Sequence, residues 1–216
     1  MPFIDVSLKH SFGRFLCDIH LKGDFPGVIG LFGPSGSGKS TLLEHLAGFT
    51  KGMEGFVKID GDLWQEGGRI IKPNHKRKLS YLMQQPFFFP FLSFEQNLCF
   101  GSKRDPASLK SELDHLVKEF ALHAVGATFI SDFSGGEKQR AAIVRGILQK
   151  PNHWLLDEPL SAVDGSMKAK TKPLLRRVLQ EAPGFRIYVS HDRQELEYFA
   201  DTIVEIRSGK IINVLT

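Results

Sequence analysis

Cysteine is scarce in this 216-residue chain. The two present, Cys17 and Cys99, lie far apart and outside any CxxC pattern. That argues against a disulfide framework and a thiolate metal centre, and makes a reducing compartment the expected home. Long hydrophobic runs are missing too. The nearest candidate, Leu79 to Phe94, is broken by Gln84, Gln85, Pro86 and Pro90. It falls short of the ~20 apolar residues a membrane-crossing helix needs. The start, MPFIDVSLKH, has no basic segment ahead of an apolar core, so no secretory leader is expected. Charge of one sign does not dominate: 28 Lys and Arg face 24 Asp and Glu, a net +4. This suits anionic ligands but is far below a nucleic-acid coat, and no nucleic-acid partner is expected. There is no internal repeat and no low-complexity segment.

What remains is the composition of a globular protein, 42% hydrophobic and 24% charged. The length allows one large domain, or a main domain with a smaller lobe, around a real core. Phenylalanine is abundant, and five of the 18 fall in QQPFFFPFLSF, residues 84–94. With a membrane span excluded, that stretch is either core or a surface for an apolar partner.

Period-two alternation at Ile4, Val6 and Leu8, and again at Phe15, Cys17, Ile19 and Leu21, predicts two early strands. GVIGLF (27–32) is apolar on both faces, as a central buried strand is. A glycine-rich loop and a helix over 40–48 follow. Phe56 to Ile59 reads as a strand closed by an Asp60-Gly61 turn. Leu109, Leu113, Leu116, Val117 and Phe120 recur at helical spacing within 106–122, and a second helix is expected over 135–149. HWLLD (153–157) and FRIYVS (185–190) read as strands, each with a helix behind it. Alternating strand and helix predicts an α/β fold with a mostly parallel sheet covered on both faces. The tail reads as a hairpin across Ser208-Gly209, and the basic run KPNHKRK (72–78) as a solvated loop.

Three motifs carry chemistry. GPSGSGKS, made of Gly33, Pro34, Ser35, Gly36, Ser37, Gly38, Lys39 and Ser40, fits GxxxxGK[ST] between a buried strand and a helix. Its backbone N–H groups and the helix N-terminus face an anion. With such a motif Lys39 would reach the β- and γ-phosphates, Ser40 would ligate Mg²⁺, and Thr41 would add a contact near the α-phosphate. LLDEP (155–159) ends an apolar strand in Asp157, placed to hold Mg²⁺ through water, with Glu158 placed to deprotonate an attacking water. FSGGEKQR (133–140) opens a helix with Ser134, Gly135 and Gly136, either a second small anion site or a plain cap.

In this order, the chain resembles the ATP-binding subunits of ABC transporters over nearly its full length. The matching elements are the phosphate loop, Gln84 after a strand, Ser134 to Glu137, Asp157 and Glu158, SAVD at 161–164, and His191. The resemblance implies a P-loop NTPase of the ABC ATPase type. Its mixed-sheet core would have an N-terminal antiparallel β part and an inserted helical lobe. As one domain over 1–216, this puts 1–91 and 151–216 in the core lobe and about 92–150 in the helical lobe. It implies ATP and Mg²⁺ as ligands, with catalytic roles for Glu158, His191, Gln84 and Lys39. Mg²⁺ contacts would come from Ser40, Gln84 and Asp157. A head-to-tail homodimer would place each ATP between one phosphate loop and the partner's Ser134–Glu137, with Asp164 at the seam. An aromatic side chain upstream, Phe12 or else Phe15, would stack on adenine, although a core role for either is open.

The resemblance also implies a location on the cytoplasmic face of the membrane, docked on permease subunits through a groove near Gln84–Phe94. A periplasmic or extracellular binding protein would be an indirect partner. Phe87, Phe88 and Phe91 are the expected groove residues, while Phe89 and Leu92 could be core. Phe133, Val163 and VRGIL (144–148, keeping Arg145) depart from the family's usual residues without removing a phosphate or metal contact. Glu137, the Trp64-Gln65 pair and FFPFLSFEQNLCFG are similar to molybdate or tungstate importers. Such subunits commonly carry a C-terminal oxyanion-binding domain, whereas this sequence stops at Thr216. The ATPase of another importer, of an exporter or lipid-handling complex, or of a soluble non-transport machine are the alternatives.

Overall fold

The computed structural model describes residues 1–13, 15–50, 54–122 and 130–216. The strands are β1 (Phe3–Phe12), β2 (Phe15–Asp24), β3 (Val28–Phe32), β4 (Glu54–Ile59), β5 (Asp62–Glu66), β6 (Arg69–Ile70), β7 (Leu79–Leu82), β8 (His153–Asp157), β9 (Arg186–Val189), β10 (Thr202–Arg207) and β11 (Lys210–Leu215). The helices are α1 (Lys39–Ala47), α2 (Phe94–Cys99), α3 (Pro106–Glu119), α4 (Gly135–Leu148), α5 (Gly165–Glu181) and α6 (Arg193–Phe199). Two compact units emerge. One comprises Met1–Tyr81, Asn152–Asp157 and Ala182–Thr216, the other Leu82–Pro151 and Glu158–Glu181.

The first unit is built on two sheets. An antiparallel sheet runs in the order β2-β1-β4-β5-β6, and a second sheet in the order β11-β10-β3-β9-β8-β7. In the second, β10, β3, β9 and β8 pair in parallel and β11 joins β10 antiparallel. The alternation in β2 becomes alternating burial, with Cys17, Ile19 and Leu21 inside and Asp18, His20 and Lys22 outside. β3 and β8 are buried along their length except for the half-buried Phe32, because helices and sheet cover both faces. Leu42, Leu43 and Leu46 of α1 join Ile4, Val6, Leu8, Ile19, Leu31, Leu155 and Val204 in one core. Asp60-Gly61 and Ser208-Gly209 both have positive φ at each central residue, the two-residue hairpin geometry expected of such pairs.

The basic run 72–78 keeps His75, Lys76 and Lys78 exposed, as a solvated loop does, and departs from that expectation at Arg77. Arg77 is 1% exposed and closes the end of α1. Its Nη1 donates to Leu46 O at 2.6 Å and His45 O at 3.4 Å, Nε to Lys72 O at 2.9 Å, and Nη2 to Trp64 O at 3.3 Å. The guanidinium also lies 5.3 Å from the Trp64 ring centroid. Leu46 O and His45 O lie in the last turn of α1, where carbonyls run out of intrahelical donors. The planar fork reaches both, His45 O also accepting from the Gly48 cap amide at 3.1 Å.

Two buried histidines give this unit a pH limit. His45 and His153 are both held at about 4 by burial, with nearby positive charge from Arg77 and Lys72 respectively acting in the same direction. His153 stacks on Phe185 at 4.3 Å, and its Nδ1 accepts from Phe185 N–H at 3.1 Å. The folded protein keeps both rings neutral, whereas an unfolded chain protonates them below its ordinary value near 6.5. Stability should therefore be full above pH ~6.5 and fall as pH drops towards ~4, by about 3 kcal/mol per histidine at the limit. Denaturant midpoints measured from pH 7.5 to 4 test this; a flat profile contradicts it.

The second unit is helical. Phe133 and Phe94 pack at 5.0 Å, and Leu109, Leu113, Leu116 and Phe120 of α3 and the turn after it are buried. α2 begins with a complete capping box, in which Ser93 Oγ accepts from Gln96 N–H and Gln96 Oε1 accepts from Ser93 N–H.

Candidate functional site

In the first unit the chain leaves β3 at Phe32, wraps through Gly33–Gly38 and enters α1 at Lys39. Gly38 takes φ 105°, and a Cβ there would lie 3.1 Å from the buried Cys17 Sγ, so only glycine lets the turn sit this low on β2. α1 has no side-chain cap and no acidic residue in its first turn, which leaves its N-terminal dipole to an outside anion. Lys39 is buried, with Nζ donating to Gly33 O and Pro34 O, both at 2.8 Å. The loop's own carbonyls thus pre-position the ammonium. Ser35 and Ser40 are exposed and Thr41 is half-buried.

A contact that sequence reasoning missed braces this loop from the far end of the chain. Gly209 N–H, in the β10–β11 turn, donates to Ser37 O at 3.0 Å, while Gly209 O accepts from Asp18 N–H at 2.7 Å. No local pattern announces a tie across that sequence distance.

Asp157 ends β8 and is buried. Its charge acts on Glu44 and Tyr81: burial, then Asp157, raises the Glu44 carboxyl, while burial, then Asp157 and Glu44, pushes the Tyr81 phenol well up. The Asp157 charge is thus felt on α1, at Glu44, and on β7, at Tyr81. Among the described residues no group of three or more His, Cys, Asp or Glu side chains forms a metal cage. A hard cation at Ser40 and Asp157 would take its remaining ligands from phosphate and water, which is how Mg²⁺ is ordinarily held, so the donor set fits. His191 is exposed, in a turn framed by Asp192 N–H donating to Ser190 Oγ at 3.1 Å and by Asp192 capping α6. Within the same β9–α6 segment the Tyr188 hydroxyl donates to Glu195 at 2.7 Å, both residues buried. The side chain of Phe12 lies outside what the structure describes; Phe15 packs half-buried against the core.

The second unit brings Gln84 and Glu158 together, with Gln84 Nε2 donating to Glu158 Oε2 at 3.1 Å. Glu158 has φ 48°, a left-handed backbone that is costly for a residue with a side chain. Ser161 N–H and its hydroxyl both donate to Glu158 O, at 3.2 and 2.9 Å, and hold that turn. Sequence reasoning missed the buried Gln139, which ties these parts to α4. Its Nε2 donates to Ser161 Oγ at 2.9 Å and Glu158 O at 3.3 Å, and its Oε1 accepts from Ala162 N–H at 2.8 Å. At Gly136 a Cβ would come within 2.8 Å of Ala162 O, so glycine lets the first turn of α4 lie against residues 161–164. Ser134 and Gly135 are exposed, and Ser134 caps α4 in a box with Glu137. The Asp164 carboxylate caps α5, accepting from Ser166 Oγ at 2.8 Å and Met167 N–H at 3.1 Å; those donors, the Met167 amide first, hold it below the usual carboxylate range.

The phenylalanine stretch divides. Phe87 and Phe91 are 62% and 75% exposed, and Phe89 holds them and Phe100 in edge and tilted contacts of 4.4–5.6 Å. Phe88, expected to line a groove, is instead buried under the Arg145 guanidinium at 4.5 Å, because Arg145 Nη1 is pinned to Phe87 O at 2.8 Å. The buried Asn97 amide sets the loop's shape, donating to Phe89 O and Leu92 O, both at 3.0 Å, and accepting from Phe89 N–H at 2.8 Å.

A strand, phosphate loop and helix within a two-sheet unit, and a helical unit whose α4 opens on Ser-Gly-Gly, define an ATP-binding cassette. The fold matches a dimeric post-hydrolysis ATP-binding cassette bound to ADP and phosphate. That match has TM-score 0.82 at 22% identity and covers 99% of this chain and 97% of that one. A bacterial Atm1-family ABC exporter with ATP bound aligns at TM-score 0.83 and 23% identity, over 100% of this chain and 39% of that one. Residues 18–161 match the family model described as ABC transporter, and the chain belongs to that family. Molybdenum import ATP-binding proteins are similar to it over nearly its whole length. ModC 2 of Bradyrhizobium diazoefficiens is 37% identical over 209 residues, 97% of this chain and 23% of that protein. ModC of Rhodopseudomonas palustris (strain BisB18) is 37% identical over 211 residues, 97% of this chain and 55% of that protein. The chain thus spans about half the length, or less, of these relatives.

Proposed function

We propose that this chain binds and hydrolyses ATP to energise an ABC importer of molybdate- or tungstate-like oxyanions. The observation that carries the ATP reading is the Lys39 ammonium tethered over an uncapped helix N-terminus by the loop's own carbonyls. The cargo class rests on the likeness to molybdenum import proteins. In this reading the α1 amides, Lys39 and Thr41 hold the phosphates. Ser40 and Asp157, with Gln84, would hold Mg²⁺, which would supply neutralising charge to the phosphates. Glu158 takes the proton of the attacking water, Gln84 orients that water, and His191 contacts the γ-phosphate. Ser134, Gly135 and Gly136 complete the site of a second copy in a head-to-tail dimer, with Asp164 at its seam. Closing and reopening of that dimer drive the permease.

No helix among the described residues is long and apolar enough to cross a membrane. In this reading a permease holds the chain at the membrane's cytoplasmic face, with any external binding protein an indirect partner. The exposed pair Phe87 and Phe91, beside Gln84 in sequence, is the docking surface in this reading. Changing both to Ser should remove membrane subunits from affinity captures of solubilised membranes while ATP hydrolysis by the purified chain stays within about twofold. Undiminished capture contradicts the docking role, and a co-purified permease unrelated to oxyanions contradicts the cargo.

A further inference from the structure

A serine hydroxyl carries one proton, and at the head of α4 that proton is already committed. Ser134 Oγ–H donates to Glu137 Oε2 at 2.7 Å, Ser134 N–H donates to the same oxygen at 2.8 Å, and Glu137 N–H returns to Ser134 Oγ at 3.3 Å. Both donors that Ser134 owns are therefore spent on one carboxylate. The Ser134 hydroxyl and then its amide hold Glu137 below the usual carboxylate range, so it stays charged at neutral pH. The cation one turn on, Arg140, points its Nε and Nη2 at Phe120 O and Ala121 O.

Resting on the dimer reading above, we propose that Glu137 sets how much ATP is needed to close the dimer, by holding the Ser134 proton and keeping a negative charge beside the γ-phosphate's seat. For Ser134 to serve a phosphate, its O–H must leave the carboxylate. Two anions then face each other across about 4 Å, a repulsion worth a severalfold change in affinity even in water. Glutamine at 137 keeps the shape and the cap, since its amide oxygen still accepts from Ser134 N–H, and removes only the charge. Glu137 is thus a brake built into the recognition element.

The test compares Glu158→Gln with Glu158→Gln/Glu137→Gln by sedimentation across an ATP-Mg²⁺ titration. The second should reach half-maximal dimer at about fivefold lower ATP at low salt. The gap should narrow towards 1 M salt, where the charge of the half-buried Glu137 is partly screened and a purely structural effect would persist. Equal ATP requirements at low salt, or a gap unmoved by salt, overturn the proposal. If neither protein dimerises at any ATP concentration, alone or reconstituted with permease, the dimer reading itself fails and the brake with it.

Discussion

Glu158→Gln should cut steady-state ATP turnover by about 10²–10⁴ while leaving nucleotide binding intact. The side chain is half-buried, keeps its shape on substitution, and sits on a left-handed backbone held through its carbonyl by Ser161, so the variant should fold as the parent does. Only basicity is lost. The Glu158 carboxylate already accepts from Gln84 Nε2 at 3.1 Å, and an amide can accept there too but cannot take a proton from water. General-base removal commonly costs about 10²–10⁴ in rate. Phosphate release should fall by that factor, and ATP with Mg²⁺ should hold the protein as a dimer on a sizing column. Undiminished turnover would remove Glu158 from the proposed chemistry.

Arg77→Ala is expected to give the largest loss of stability. It withdraws a buried fork from Lys72 O, Leu46 O, His45 O and Trp64 O, and it empties the space against the Trp64 ring. His45 O and Trp64 O keep backbone donors, in Gly48 N–H and in Ile71 and Lys72 N–H, so the loss falls mainly on Leu46 O and Lys72 O. At about 1–3 kcal/mol for each buried acceptor, with the emptied space added, a total of about 3–5 kcal/mol is expected. Against a typical 5–15 kcal/mol, that is a large fraction. Burial lowers the Arg77 guanidinium to about 10, still charged at neutral pH. Arg77→Lys should rescue little, because an ammonium cannot span the same carbonyls as a planar fork. Urea unfolding of the three proteins decides this; a midpoint for Arg77→Ala within error of the parent contradicts it.

The parts legible in the sequence are those written locally. β3, the phosphate loop, α1, β8 and the Asp60-Gly61 and Ser208-Gly209 hairpins each rest on a contiguous run with its own punctuation. β6 escaped because it is two residues long and pairs at a sheet edge. β5 and β7 are marked only indirectly, by the Asp60-Gly61 turn and by the place of Gln84, because such short strands carry little alternation. α2 was readable in principle, since Ser93 and Gln96 spell a capping box, but six residues among phenylalanines give little periodicity. The charge run 72–78 misled because exposure is a tertiary property: Arg77 is buried only once α1 and Trp64 arrive around it. Phe88 and Phe91 carry the same side chain three residues apart, and only Arg145, far along the chain, decides which of them is covered. Gln139 likewise gains its role from residues 158–162, which no spacing within FSGGEKQR reveals.

The clasp of Gly209 on Ser37 and Asp18 joins the first third of the chain to its last hairpin. During synthesis the glycine-rich turn leaves the ribosome early, yet it stays unbraced until residue 209 has also emerged. A nascent or trimmed polypeptide ending short of that hairpin would therefore hold triphosphate poorly, and tight capture becomes a sign that the whole core has been made.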